Sequence, residues 1–167
     1  MKDLPADKTC IKSSFLCSNC KRKLENNEIS QFDIDIAKDL LEMEVKYPSL
    51  EKASLYKTID FGDVVIFIVG KGDKLRYTND ILKNLKKKYD IAYLILVEKT
   101  KKIRQIVESL ISPGKLIGLN EIFVPTGDVE YKAIISKVDK DKILFTREEL
   151  QELIEEISNQ IIRISFE

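Results

Sequence analysis

Apolar positions along this chain alternate between two spacings. From Ser30 they recur as Ile34, Ala37, Leu41 and Val45, three or four apart, which is the period of an amphipathic helix. Ser30 is a candidate N-cap with Asp33 three residues on. Asp33, Asp35 and Asp39 suit the N-terminal half of such a helix, and Pro48 stops it. Those carboxylates read as a solvated helix face. Residues 55–59 then read as a strand, Asp60-Phe61-Gly62-Asp63 as a turn, and residues 64–69 as the hairpin partner. After a break at Gly70-Lys71-Gly72, helical spacing resumes at Ile81, Leu82, Leu85 and Tyr89, with Thr78 or Asn79 as the cap. Lys83, Lys86, Lys87 and Lys88 fall on the other face. Residues 91–97 form an unbroken apolar run, the pattern of a strand buried on both faces. Strand, glycine loop, basic helix and strand together offer free backbone N–H groups beside ammonium charges, an arrangement suited to cradling a polyanion.

The second part of the chain repeats the order. A helix is expected over 103–111 (Ile103, Ile106, Val107, Leu110), ended by Ser112-Pro113-Gly114. Strands follow over 116–124 and 129–137, joined by the turn Pro125-Thr126-Gly127-Asp128, then a loop over 138–145. Thr146 and Glu149 form a capping box for a helix with Leu150, Leu153, Ile154 and Ile157 inward, and residues 161–166 close as a strand. Residues 30–97 and 102–166 thus share one plan with negligible sequence identity: an α+β unit of three strands packed on helices, twice.

Charge divides these two copies. The formal net charge is zero. Residues 71–104 nevertheless carry eleven Lys/Arg against four Asp/Glu, and residues 1–24 carry six against two. The intervening and final segments are acidic, with Glu148, Glu149, Glu152, Glu155 and Glu156 standing where the first copy has lysines. Local basic blocks on a neutral chain point to an anionic partner, nucleic acid first; the plain alternative is a solvated lysine face. Histidine is absent, which removes most hydrolase constellations, and no paired-carboxylate motif suggests a reaction, so the chain reads as non-enzymatic. It has neither a P-loop nor a dinucleotide fingerprint. With no run of about 20 apolar residues and no secretory h-region, a soluble cytoplasmic protein without a membrane role is expected.

Cys10, Cys17 and Cys20 are spaced C-x6-C-x2-C and followed by Lys21-Arg22-Lys23. The C-x2-C pair resembles half a zinc ribbon, and a closed zinc site needs a fourth ligand, for which Asp7 and Asp3 are the candidates; Ser13 stands where a first C-x2-C would be completed. The alternative is three reduced thiols.

The segments AKDLLEMEVKYPSL, DVVIFIVGKGD, IGLNEIFVPTGDVEYKAII and IIRISFE, behind a cysteine-containing N-terminus, resemble tandem KH domains of the prokaryotic (type II) kind, in particular the archaeal NusA-like proteins. The resemblance covers nearly the whole chain. It implies an N-terminal cysteine knuckle over 1–28, a first KH-like domain over 29–99 and a second over 100–167. It also implies single-stranded RNA as ligand and a role in transcription elongation or termination. The alternative is a protein–protein adaptor on RNA polymerase or the ribosome. In that family a GxxG loop clamps phosphates. The matching positions here are Arg76-Tyr77-Thr78-Asn79 in the first copy and Leu144-Phe145-Thr146-Arg147 in the second, without glycine. The expected RNA contacts are therefore side chains: Lys71, Lys74, Arg76, Thr78, Asn79, Lys83, Lys86 and Lys87, with Tyr77 stacking on a base; the alternatives are a solvated lysine face and a Tyr77 packed against the loop.

Overall fold

The computed structural model describes residues 1–167, which divide into two compact units, Met1–Lys99 and Thr100–Glu167. In the first unit, helices α1 (Lys8–Ser13) and α2 (Ser18–Glu25) precede the long helix α3 (Gln31–Glu44). Ser30 and Asp33 close a reciprocal capping box at the start of α3. The helix ends at Glu44, and Pro48, expected as its stop, instead opens a 3-10 turn over Pro48–Lys52. Strands β1 (Leu55–Phe61) and β2 (Val64–Val69) form the hairpin. A 3-10 turn (Asp73–Arg76), helix α4 (Asn79–Tyr89) and strand β3 (Tyr93–Glu98) complete the unit.

The sheet order is β1-β2-β3, antiparallel between β1 and β2 and parallel between β2 and β3. The strand buried along its whole length is the central one, β2, not the 91–97 run. β3 lies at the sheet edge and is half-exposed, and the apolar run begins by closing a helix. Asp90 turns left-handed at the end of α4, and the Ile91 N–H reaches the Lys86 carbonyl. Phe67 and Leu40 are fully buried, each worth about 2–3 kcal/mol of transfer free energy.

Two further expectations change. The cysteine segment is no separate knuckle. Ala6, Cys10, Ile11 and Cys20 belong to one hydrophobic core with Ile36, Leu40, Phe67 and Leu85, because α1 packs on α3. Nor do the α3 acids all face solvent. Asp33 is buried and accepts from the Thr58 N–H at 2.6 Å, tying the start of α3 to β1, and Asp39 is buried against α4. Burying either carboxylate without such partners is costly.

The second unit has the same plan: α5 (Ile103–Ile111), β4 (Leu116–Phe123), β5 (Val129–Ile135), a 3-10 turn (Lys137–Lys142), α6 (Arg147–Ser158) and β6 (Ile162–Phe166). β4 and β5 are antiparallel, β5 and β6 parallel, in the order β4-β5-β6. The likeness reaches single hydrogen bonds. Asp73 in one unit accepts from the Ser54 N–H and pairs with Arg76, three residues on. Asp139 in the other accepts from the Lys115 N–H and pairs with Lys142, also three on. No helix of the chain is long and apolar enough to cross a membrane.

Candidate metal centre and basic surface

α1 and α2 bring three thiols and a carboxylate together. Asp7 sits at the N-cap of α1 with its side chain unused for capping, so the carboxylate is available elsewhere. Cys10 lies one turn into α1. Cys17 is the N-cap of α2, and Cys20 follows in its first turn. One ligand atom from each of Asp7, Cys10, Cys17 and Cys20 lies within 4.8 Å of all the others, so the four can hold a metal ion. Cys10 and Cys20 are buried, whereas Asp7 and Cys17 face solvent.

The backbone is arranged for sulfur that carries charge. Each of the three sulfurs accepts one N–H: Cys10 from Cys17 at 3.3 Å, Cys17 from Cys20 at 3.5 Å, and Cys20 from Asp7 at 3.5 Å. Such donors orient thiolate ligands and share their charge. The Cys20 N–H and thiol hold the Cys17 thiol below its ordinary value of 9.0, while burial pushes Cys20 up to about 11. A divalent cation supplies the charge that lets buried thiols ionise. Of the two candidates for the fourth position, Asp3 is engaged elsewhere, accepting from the Ser54 hydroxyl at 2.9 Å and from Tyr56. Ser13 bonds only to the local backbone.

The basic surface is reshaped rather than removed. The loop after β2 is no anion cradle. Gly70 lacks a side chain because a Cβ there would lie 2.2 Å from the Asp73 carboxylate, which turns inward to reach the Ser54 N–H. An anion in that loop would meet Asp73. Tyr77 is 3% exposed, with its hydroxyl donating to the Ser54 carbonyl at 2.8 Å, so no base can stack on it. Arg76 is held by Asp73 at 3.0 Å, Lys74 is half-buried and engaged, and Lys88 is paired with Asp39 at 2.6 Å. Thr78 is the N-cap of α4 and Asn79 its first residue, both exposed. Lys71, Lys83 and Lys87 are exposed and Lys86 half-exposed, and none of the four has a carboxylate within ion-pair reach. Leu75, which sequence reasoning passed over, stands 91% exposed in the 3-10 turn before α4.

No family model matches this chain, and no curated protein matches it either. Among solved structures, one titled "Crystal structure of APE1850" is similar with a TM-score of 0.52 at 16% sequence identity, covering 76% of this chain and 96% of that one. The larger unit holds only 99 of the 167 residues, so a match over 76% of the chain takes in elements of both units. At that identity the likeness concerns the fold alone: two three-stranded sheets, each packed on helices, in an α+β chain.

Proposed function

We propose that this is a non-enzymatic, RNA-binding protein of the NusA-like, type II KH kind, acting in the cytoplasm with the transcription machinery and carrying one structural zinc ion. The observation that carries the RNA reading is the row of lysines on α4. Lys83, Lys86 and Lys87 have no acidic partner although acidic residues are as numerous as basic ones in the chain. Charges left unpaired along one helix are available to phosphates. The element order of each unit, helix-strand-strand-turn-helix-strand with one antiparallel and one parallel pairing, supports the KH resemblance.

Zinc is the metal the donor set favours. Three thiolates and one carboxylate closing round a single point suit a four-coordinate ion, with zinc–sulfur bonds of about 2.3 Å and zinc–oxygen bonds of about 2.0–2.2 Å. A multi-iron cluster spreads its ligands over several metal atoms. All four positions are filled by protein, so the site is closed and structural. Protein purified without chelator should contain one equivalent of zinc per chain, and Cys20→Ser should lose it; metal-free native protein would remove this part of the reading.

For RNA, binding of a short fluorescent single strand across a salt series should weaken log-linearly with salt. Lys83→Glu with Lys86→Glu should abolish binding and leave the circular dichroism spectrum unchanged. Undiminished binding by that double variant refutes the α4 surface. The adaptor reading is favoured by one observation: β4, at an edge of its sheet, exposes Ile117 and Phe123, apolar side chains suited to a protein partner such as a polymerase or ribosomal subunit.

A further inference from the structure

We infer that the loop between α1 and α2 is a base-stacking site for single-stranded nucleic acid, with Phe15 as its platform. The inference rests on the RNA reading above and adds a second contact surface to it. Phe15 is 82% exposed and is the only large apolar residue of the first 28 that is. Its backbone is fixed on both sides. Ser14 takes a left-handed conformation (φ 61°), the Phe15 N–H donates to the Ser13 hydroxyl at 3.3 Å, and the Cys17 N–H is held by the Cys10 sulfur. Leu16 packs against the core immediately after it. A ring presented by a rigid turn loses little freedom on binding, which favours affinity.

Charge around the ring selects the occupant. The Lys38 ammonium lies 3.0 Å from the Ser14 hydroxyl, one residue from Phe15. Lys21 and Arg22 are exposed on α2 with no acidic partner, Arg22 touching only Asn19. Lys8 and Lys12 do not count, because they help hold the Glu44 carboxyl below its usual range. Of the four acids in the first 28 residues, Asp3 is held by Ser54 and Asp7 lies in the cysteine cluster, while Glu25 and Glu28 are exposed at and beyond the far end of α2 and neither pairs with Lys21 or Arg22. A protein partner would be met by a contiguous apolar patch. Here one aromatic ring stands among Ser13, Ser14, Ser18, Asn19 and cations, which is the make-up of a sequence-tolerant stacking platform for bases.

The test uses the full chain with its metal. Phe15→Ala should weaken binding of a short single-stranded RNA by roughly 5- to 150-fold, the range for loss of one aromatic–base stack. The slope against salt should stay the same, since the ring carries no charge; Lys83→Glu with Lys86→Glu acts on the charged contacts instead. The chain contains no tryptophan, so Phe15→Trp installs a lone indole at the site. Its emission should be quenched on saturation with the same RNA. If Phe15→Ala binds as the parent does, or the indole is unchanged at saturation, the stacking site is overturned while the lysine surface stands. If the parent binds no RNA at any salt, both readings are overturned together.

Discussion

Gly70 and Asp73 make a pair that neither residue type announces alone. The carboxylate of Asp73 fills the space where a Gly70 side chain would stand, and it satisfies the buried N–H of Ser54 at 2.8 Å. Gly70→Ala should therefore cost about 1–3 kcal/mol, read as a lower urea midpoint with unchanged m-value. Asp73→Ala should cost a similar amount by leaving the Ser54 N–H without its partner. The double variant should be less damaging than the sum, because alanine at position 70 then no longer meets the Asp73 carboxylate and keeps only a 3.3 Å approach to the Ser54 Cβ. At the same scale, Asp7 became distinguishable from Asp3 only in three dimensions. Both lie near the cysteines in sequence, but Asp3 bridges to Ser54, fifty-one residues away.

α3 and α4 are joined by Asp39, which accepts from both Lys88 and Tyr89. The Asp39 carboxylate raises Lys88 above its ordinary value of 10.5. Burial, and then the same carboxylate, raise Tyr89 above 10.0. Both groups thus hold their protons more tightly folded than unfolded. Their contribution is complete below about pH 10 and is lost as pH rises through the folded values. Unfolding free energy measured by urea titration should fall above pH 10, and Tyr89→Phe should make that fall shallower. The 3-10 turns that precede α4 and α6 share a pattern that the sequence itself carries. Lys71-Gly72-Asp73-Lys74-Leu75-Arg76 and Lys137-Val138-Asp139-Lys140-Asp141-Lys142 share the pattern K-x-D-K-x-[R/K], and both occur at the same place in their units. The matched part is a six-residue stretch, shorter than α4 and α6, the helices that follow it.

At the scale of the molecule, the candidate metal site belongs to the first unit alone, since Cys10 and Cys20 share that unit's core. On the zinc proposal, chelator treatment should lower hydrogen-exchange protection in α1, α2 and the facing side of α3, while β4, β5 and β6 keep theirs; uniform loss across both units would contradict this. The sequence by itself determined the α+β plan and its duplication, because hydrophobic period, caps and turn residues act locally and each unit repeats them. It also marked the three cysteines and the lysine face of α4, of which the structure pairs only Lys88, with Asp39. Only the tertiary structure decided that β2 and not the 91–97 run is the central strand, that Tyr77 is buried, that Asp73 fills the glycine loop, and that Asp7 completes the cluster. Each of those depends on which distant backbone N–H or apolar surface lies opposite a side chain, and one-dimensional spacing does not encode that distance.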